Sequence, residues 1–409
     1  MLPLQNNQGK LSAVRSGAES FFGSRVFCYL APFTALAAYL IYLVAADEMD
    51  FSAGYYELSY LFTYDHGFLS KAFVGEVISW FVDTLTPEII KGVSLLGSVL
   101  LLIASSLCFG SVLDKTRENK ELYTAALVII GVLCVAPFTF RNHFFEVKQD
   151  KFFWALALFA VYFSQFKFGI WLAPILCFAA MLINPIFMTG CMFLIAIILL
   201  QKCKDSGFAV KNIIICAVSY IGMIVIGIFS LSSGHKHGFA TPDEMIDFYF
   251  SRYSATLSET VRNRLVNGEL IEYFGTRDTG FFKDVFTRFV VEGGGWAYML
   301  LNAVFFAIPL FALLVIFWKN VIKEEKDKFR KFIFLLCPAT MVSVLAMPLL
   351  GWGTRFFFYS YVVQLGLILY YMANKNEAVL TVVGRVTDFC KEHILTSAAV
   401  LIYFAIFFK

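Results

Sequence analysis

The chain has 409 residues, of which 59% are hydrophobic and 15% charged, with a formal net charge of +3. A soluble domain carries roughly 25% charged residues, and a mean hydropathy of +0.73 is far above what one needs. Composition therefore excludes an ordinary soluble enzyme, the small net charge gives no footing for nucleic acid, and the fold class expected is all-α: a polytopic membrane protein with the lipid bilayer as a partner.

Residues 1–25 are polar, without the apolar centre of a secretory signal, and read as a cytoplasmic tail. Uncharged stretches such as VFCYLAPFTALAAYLIYLVAA and NIIICAVSYIGMIVIGIFSLS follow, each able to cross a hydrocarbon core of about 30 Å. Hydropathy predicts about eleven spans, near 26–46, 92–113, 122–138, 152–166, 169–183, 185–201, 212–232, 298–318, 332–350, 356–373 and 393–408. The chain thus divides into a tail (1–25), a membrane region (26–232) that includes an outer segment 47–91, a large extracytoplasmic loop (233–297) and a second membrane region (298–409).

With the N-terminus inside, the inner loops DKTRENKE, KCKDSGFAVK, KNVIKEEKDKFRK and NKNEAVLTVVGRVTDFCKEH are all basic, as the positive-inside rule requires. RNHFFEVKQDK, which falls outside, is a mild violation. The nine cysteines lie mostly in apolar runs or beside lysines and offer neither a disulfide framework nor a C-x-x-C site. No phosphate-loop, dinucleotide-binding or H-E-x-x-H motif occurs, so nothing points to a nucleotide-driven pump or a zinc protease.

The outer segment holds TYDHGFLSKAFVGEV, a cluster of ionisable groups in an apolar chain. Spacing predicts an amphipathic helix from Phe68 to Asp83 lying in the interface, with Lys71, Gly75, Ser79 and Asp83 on its polar face. Leu69, Phe73, Val77, Trp80 and Phe81 would form its apolar face, and Tyr55, Tyr56, Tyr60 and Tyr64 would sit at head-group depth. Asp65 then either caps that helix or, with Asp47, Glu48 and Asp50 as alternatives, acts as a general base.

An acidic residue after the first span followed by an interfacial helix resembles the multi-pass glycosyltransferases of the GT-C class. The string DHGFLSKAFVG is also similar to a D-x-G-F-x-[SR]-[RK]-x-x-x-G segment in bacterial membrane proteins of envelope-polysaccharide loci. Segments similar to EVKQDKFFWAL and WGTRFFFY accompany it there, whereas Asn184-Pro185 departs from the His-Glu or His-Gln often found before the sixth span.

The resemblance implies a membrane glycosyltransferase in the bacterial cytoplasmic (inner) membrane. Its donor would be a polyprenyl-phosphate-linked sugar of the undecaprenyl kind, used at the outer face, with a glycan as acceptor. Asp50 or Asp65 would be the base, and Arg355, with Arg141 or Lys71, would hold the lipid phosphate. Asp47, Glu48, His66, His143 and Asp150 complete the set of substrate-binding candidates. Arg355 has a plain alternative as a snorkelling anchor, Arg141 as a partner of Glu146 or Asp150, and Asp150 as a helix cap.

No motif demands a cofactor. A divalent metal would need His66 and His143 beside acids. His235 and His237 read as a solvated turn, and Thr241-Pro242-Asp243-Glu244 as a helix start inside a loop that is either an acceptor-binding lid or a plain solvated domain. An O-antigen-polymerase-like or ligase-like enzyme fits the same features. A lipid-linked glycan flippase or transporter predicts paired halves and charges within spans, of which the sequence shows almost none. A non-catalytic scaffold is the remaining class.

Overall fold

The computed structural model describes residues 24–46, 54–69, 71–135, 148–167, 169–184, 191–233, 235–255, 259–266, 308–341 and 355–407. Helix α1 (Arg25–Ala45) begins at Ser24, whose hydroxyl accepts the Phe27 N–H at 3.2 Å. A short α2 (Gly54–Leu61), a strand β1 (Gly67–Leu69) and a short α3 (Phe73–Ser79) connect it to α4 (Pro87–Thr116). Thr86 caps α4 through the Ile89 N–H at 3.3 Å, and Pro87 occupies the first turn, where its missing N–H leaves no bond unmade.

Then come α5 (Lys120–Val135), α6 (Asp150–Phe163), a 3₁₀ turn (Gly169–Trp171) running into α7 (Leu172–Ile183), α8 (Cys191–Asp205) and α9 (Val210–Ser233). Strand β2 (His235–His237), α10 (Pro242–Ser251) and α11 (Glu259–Arg264) precede α12 (Ile308–Glu324) and α13 (Lys328–Ala339). The chain finishes with α14 (Arg355–Ala373), α15 (Glu377–Glu392) and α16 (Ile394–Phe407).

α4 is the central post. Its 30 residues make it about 45 Å long, and α1, α6, α5 and α14 all pack against it. Its buried face carries Ser94, Gly97, Ser98, Ala104, Ser105 and Gly110, small residues that let helices approach closely where no hydrophobic effect drives them together. A Cβ at Gly97 would lie 2.8 Å from Lys151 and Phe152, so the α4–α6 approach depends on that hydrogen.

Among the described residues three helices are long and apolar enough to cross a membrane: Arg25–Ala45, Pro87–Thr116 and Val210–Phe229. On α9, Val210, Ile221, Val225 and Ile228 are all more than half exposed, a face that water would not tolerate and lipid would. The chain has the helical content and apolar outer surface of a membrane protein.

The two ends of the bundle differ. At one, ion pairs join the basic loops: Arg25–Asp114 at 3.3 Å, Lys204–Asp327 at 2.9 Å, Arg330–Asp205 at 3.4 Å, Arg385–Glu324 at 2.7 Å, and Lys391 with Glu121. Surface pairs of this kind are worth about 0–1 kcal/mol each. What they show is that these loops share one end.

At the other end, β1 pairs antiparallel with β2 (Gly67 opposite His237), and Leu85 bridges Tyr253. There Gln149 also reaches from the start of α6 to the Ser59 carbonyl of α2 at 2.8 Å.

Several expectations are corrected. Residues 68–83 do not form one interfacial helix. β2 takes the backbone partners of Gly67–Leu69, and Lys71 turns left-handed (φ 71°), so the helix is confined to Phe73–Ser79. Tyr60, placed at head-group depth by its chemistry, is wholly buried. Gly75 lies on the packed side, where a Cβ would collide with the Phe62 carbonyl oxygen, while Trp80 and Phe81 are 67% and 81% exposed. His235 and His237 belong to a paired strand, not a loose turn. NKNEAVLTVVGRVTDFCKEH, read as a loop, contains helix α15. Val379, Val382 and Val383 are buried one helical turn apart, and the Asn376 side chain caps the start through the Val379 N–H at 3.0 Å.

Candidate functional site

Polar groups gather at the end of the bundle opposite the basic loops, in an exposed cluster and a buried one. The exposed cluster is built on the segment between α2 and β1. Glu76 of α3 accepts the Tyr64 N–H at 2.9 Å and the Trp80 indole N–H at 3.1 Å, which fixes the turn before Asp65. Tyr249 of α10 donates its hydroxyl to the Thr63 carbonyl at 3.1 Å, and burial pushes that phenol up to about 12, so it stays a donor at neutral pH.

Gly67 adopts φ 108°, open to glycine and strained for other residues, and the His66 carbonyl accepts the Gly238 N–H at 2.8 Å. This frame holds Asp65. Its Oδ2 accepts the Thr63 hydroxyl at 2.7 Å and lies 3.5 Å from Nη1 of Arg252, with the carboxylate side chain 56% exposed. His66 sits against Phe239 and Phe248, at ring-centroid distances of 4.6 and 4.3 Å.

Behind it, α10 is tied to α11. Thr241 caps α10 through the Glu244 N–H at 3.2 Å. Arg262 of α11 contacts Asp243 at 2.8 Å and Asp247 at 2.7 Å. The hydrogen bond from Arg262 holds the Asp247 carboxyl below the usual carboxylate range, and the two acids together raise Arg262.

The buried cluster lies at the head of α6. Asp150 is 4% exposed: its Oδ1 accepts the Asn184 amide at 2.8 Å and its Oδ2 the Tyr359 hydroxyl at 3.2 Å. Lys151 is fully buried, and its Nζ donates to Ser94 and Ser98 of α4, each at 3.0 Å. Gln149 completes the row. Its amide nitrogen is bound to Ser59, while its Oε1 is buried and has no hydrogen-bond partner among the described residues. These three residues lie at the head of α6, just before the expected span 152–166.

Asp65 therefore caps no helix, because a strand follows it. Asp150 is the first residue of α6 but spends its carboxylate on Asn184 and Tyr359. The structure thus joins Asp150, Asn184 and the start of α14, three segments far apart in sequence. Arg355 is the first residue of α14, one turn before Tyr359. Lys71 is half-buried at its left-handed turn. Asp47, Glu48, Asp50, Arg141 and His143 lie outside the described residues. Among the described residues no group of three or more His, Cys, Asp or Glu converges as a metal site would require.

Sequence reasoning missed Gln149, Lys151, Tyr359 and the pairing of Arg252 with Asp65. Ser94 and Ser98, four apart in an apolar run, were the readable sign that a polar group meets α4 there. No protein family, curated protein or solved structure matches the chain.

Proposed function

We propose that the chain is a multi-pass glycosyltransferase of the bacterial cytoplasmic membrane. It would move a sugar from a polyprenyl-phosphate carrier to a glycan acceptor at the outer face. The observation that carries this reading is Asp65: an exposed carboxylate oriented by Thr63, with a guanidinium 3.5 Å away, on a frame at the end of the bundle opposite the basic loops.

A carboxylate so placed takes the proton of the acceptor hydroxyl as that oxygen bonds to the anomeric carbon. The bond from that carbon to the carrier phosphate breaks, and the phosphate leaves with the electron pair. Arg252, and Arg355 at the start of α14, supply cations to bind its charge, a task suited to the planar guanidinium fork. The span count of about eleven belongs to this reading: among the described residues a helix covers at least part of each apolar segment, although most of these helices are shorter than the ~20 residues of a straight crossing.

The buried Asp150 and Lys151 favour a second reading, a transporter or flippase of lipid-linked glycan, since ionisable groups inside a bundle commonly line a translocation path. The purified chain in liposomes, given polyprenyl-phosphate sugar and acceptor, separates the two. Under the transferase reading product forms, and Asp65→Asn lowers its rate by about 10²–10⁴-fold, the usual share of a general base. Transbilayer movement of the lipid-linked sugar with no new glycosidic bond rejects the transferase. In cells lacking the gene, single-unit chains would indicate a polymerase, a missing branch sugar a single-sugar transferase, and an unchanged glycan neither.

A further inference from the structure

Toward the basic end of the bundle, α4, α5, α6, α8 and α14 line an apolar cleft that opens at one side. Its walls include Phe109, Leu158, Leu194 and Leu369, and Gly366 of α14 leaves room where a side chain would stand. Asn374, which is exposed, and Gln165 mark the mouth.

Gln165 brings a charge there. Its Oε1 accepts the Ser111 hydroxyl at 2.8 Å and the Lys115 ammonium at 2.7 Å. Lys202 of α8 adds a second positive charge at this end of the bundle, with Asp205 the acid that acts on it as Asp114 acts on Lys115. Both lysines are half-buried, and among the described residues neither forms an ion pair.

The neighbouring acids are occupied. Asp114 binds Arg25 at 3.3 Å and Arg117 at 3.4 Å, while Asp205 accepts from Gln201 at 2.7 Å and Arg330 at 3.4 Å. Tyr370, 5% exposed, also lines the cleft, and among the described residues its hydroxyl has no hydrogen-bond partner.

Two half-buried lysines with no ion pair among the described residues, one of them held at the cleft mouth by Gln165, favour an anion there. The cleft behind them is walled mainly by apolar side chains, a lining suited to an acyl chain. We infer that this cleft binds an anionic phospholipid from the leaflet at the basic end, with its phosphate on Lys115 and Lys202 and an acyl chain between α4, α6 and α14. A free phosphate would leave the cleft unfilled, and a neutral lipid would leave the lysines uncompensated. The lysines lie at the opposite end of the bundle from Asp65, while the far end of the cleft reaches Trp154, one turn from Asp150; the inference does not depend on the reaction proposed above.

The test is native mass spectrometry of the full chain released from nanodiscs containing equal phosphatidylglycerol and phosphatidylcholine. The expected result is a retained phosphatidylglycerol, preferred by roughly tenfold, about the effect of one charge-assisted contact. Lys115→Gln with Lys202→Gln should abolish the preference. Gly366→Leu should reduce retention with both lysines intact. Gly366→Ala, whose methyl would meet only Leu194 at 3.6 Å, is the milder filling should the leucine variant not fold. Equal retention of both lipids, wild-type retention in the lysine and glycine variants, or full displacement of the lipid by millimolar inorganic phosphate would each overturn the inference.

Discussion

Asp65 shares one carboxylate oxygen between a threonine hydroxyl and an arginine, while its side chain stays largely open to water. An exposed pair of this kind contributes about 0–1 kcal/mol to folding. Asp65→Asn and Arg252→Gln should therefore leave the unfolding midpoint within about a degree or two of wild type while lowering transfer. A comparable loss of stability in either variant would mean that the pair serves the fold and not the chemistry.

Asp150 is the opposite case. Asp150→Leu removes a buried acceptor from the Asn184 amide and from the Tyr359 hydroxyl, at a cost of about 1–3 kcal/mol for each hydrogen bond lost. Asp150→Asn, which keeps an oxygen, should cost less, and chemical denaturation in detergent ranks the two. Lys151→Met keeps most of the volume and frees Ser94 and Ser98 to bond within α4, as the Ser98 hydroxyl already does to the Ser94 carbonyl at 3.3 Å. It should fold, so any loss of function in that variant reports on the ammonium itself.

At the scale of elements, the contact of α4 with α6 depends on Gly97, because a larger residue would be driven into Lys151 and Phe152. Gly97→Val should destabilise the bundle by about 1–3 kcal/mol, the usual cost of overpacking, whereas the same change at Gly92, which faces open space, should cost little. A thermal-shift comparison of the two variants reads the difference.

The α10–α11 clamp has a pH dependence of definite sign. Because Arg262 lowers the Asp247 pKa in the folded state, the clamp's stabilisation is complete above the unfolded carboxylate value of about 3.9 and is lost as pH falls through the lower folded value. Amide exchange in 242–264 should stay slow from neutral pH down to the carboxylate range and quicken below it. Exchange that quickens near pH 6 would assign the protection to something else.

For the whole molecule, the segregation of ion-paired basic loops at one end and the β1–β2 frame at the other requires Asp65 and Cys390 to lie on opposite faces of the bilayer. Cys390 is the exposed thiol among the described cysteines. In intact spheroplasts an impermeant maleimide should leave Cys390 unlabelled. Thr84→Cys in a Cys390→Ser background, close to the Leu85–Tyr253 bridge, should label. Labelling of both, or of Cys390 alone, would remove the outer face as the place where Asp65 works.

The sequence by itself determined that the chain is helical and belongs in a membrane, because long uncharged runs have no other stable solvent. It also located the three long apolar helices, Arg25–Ala45, Pro87–Thr116 and Val210–Ser233, to within about five residues and showed Asp65 and Arg355 as charges near apolar runs. The tertiary structure alone decided which polar groups meet. Asp150, Asn184 and Tyr359 are brought together by helix packing, and Lys151 finds its serines only because Gly97 lets α6 approach α4. The helix expected across 68–83 failed for a related reason. Its periodicity was real, but β2 offered Gly67–Leu69 the backbone partners of a strand, and a partner some 170 residues downstream leaves no trace in local spacing.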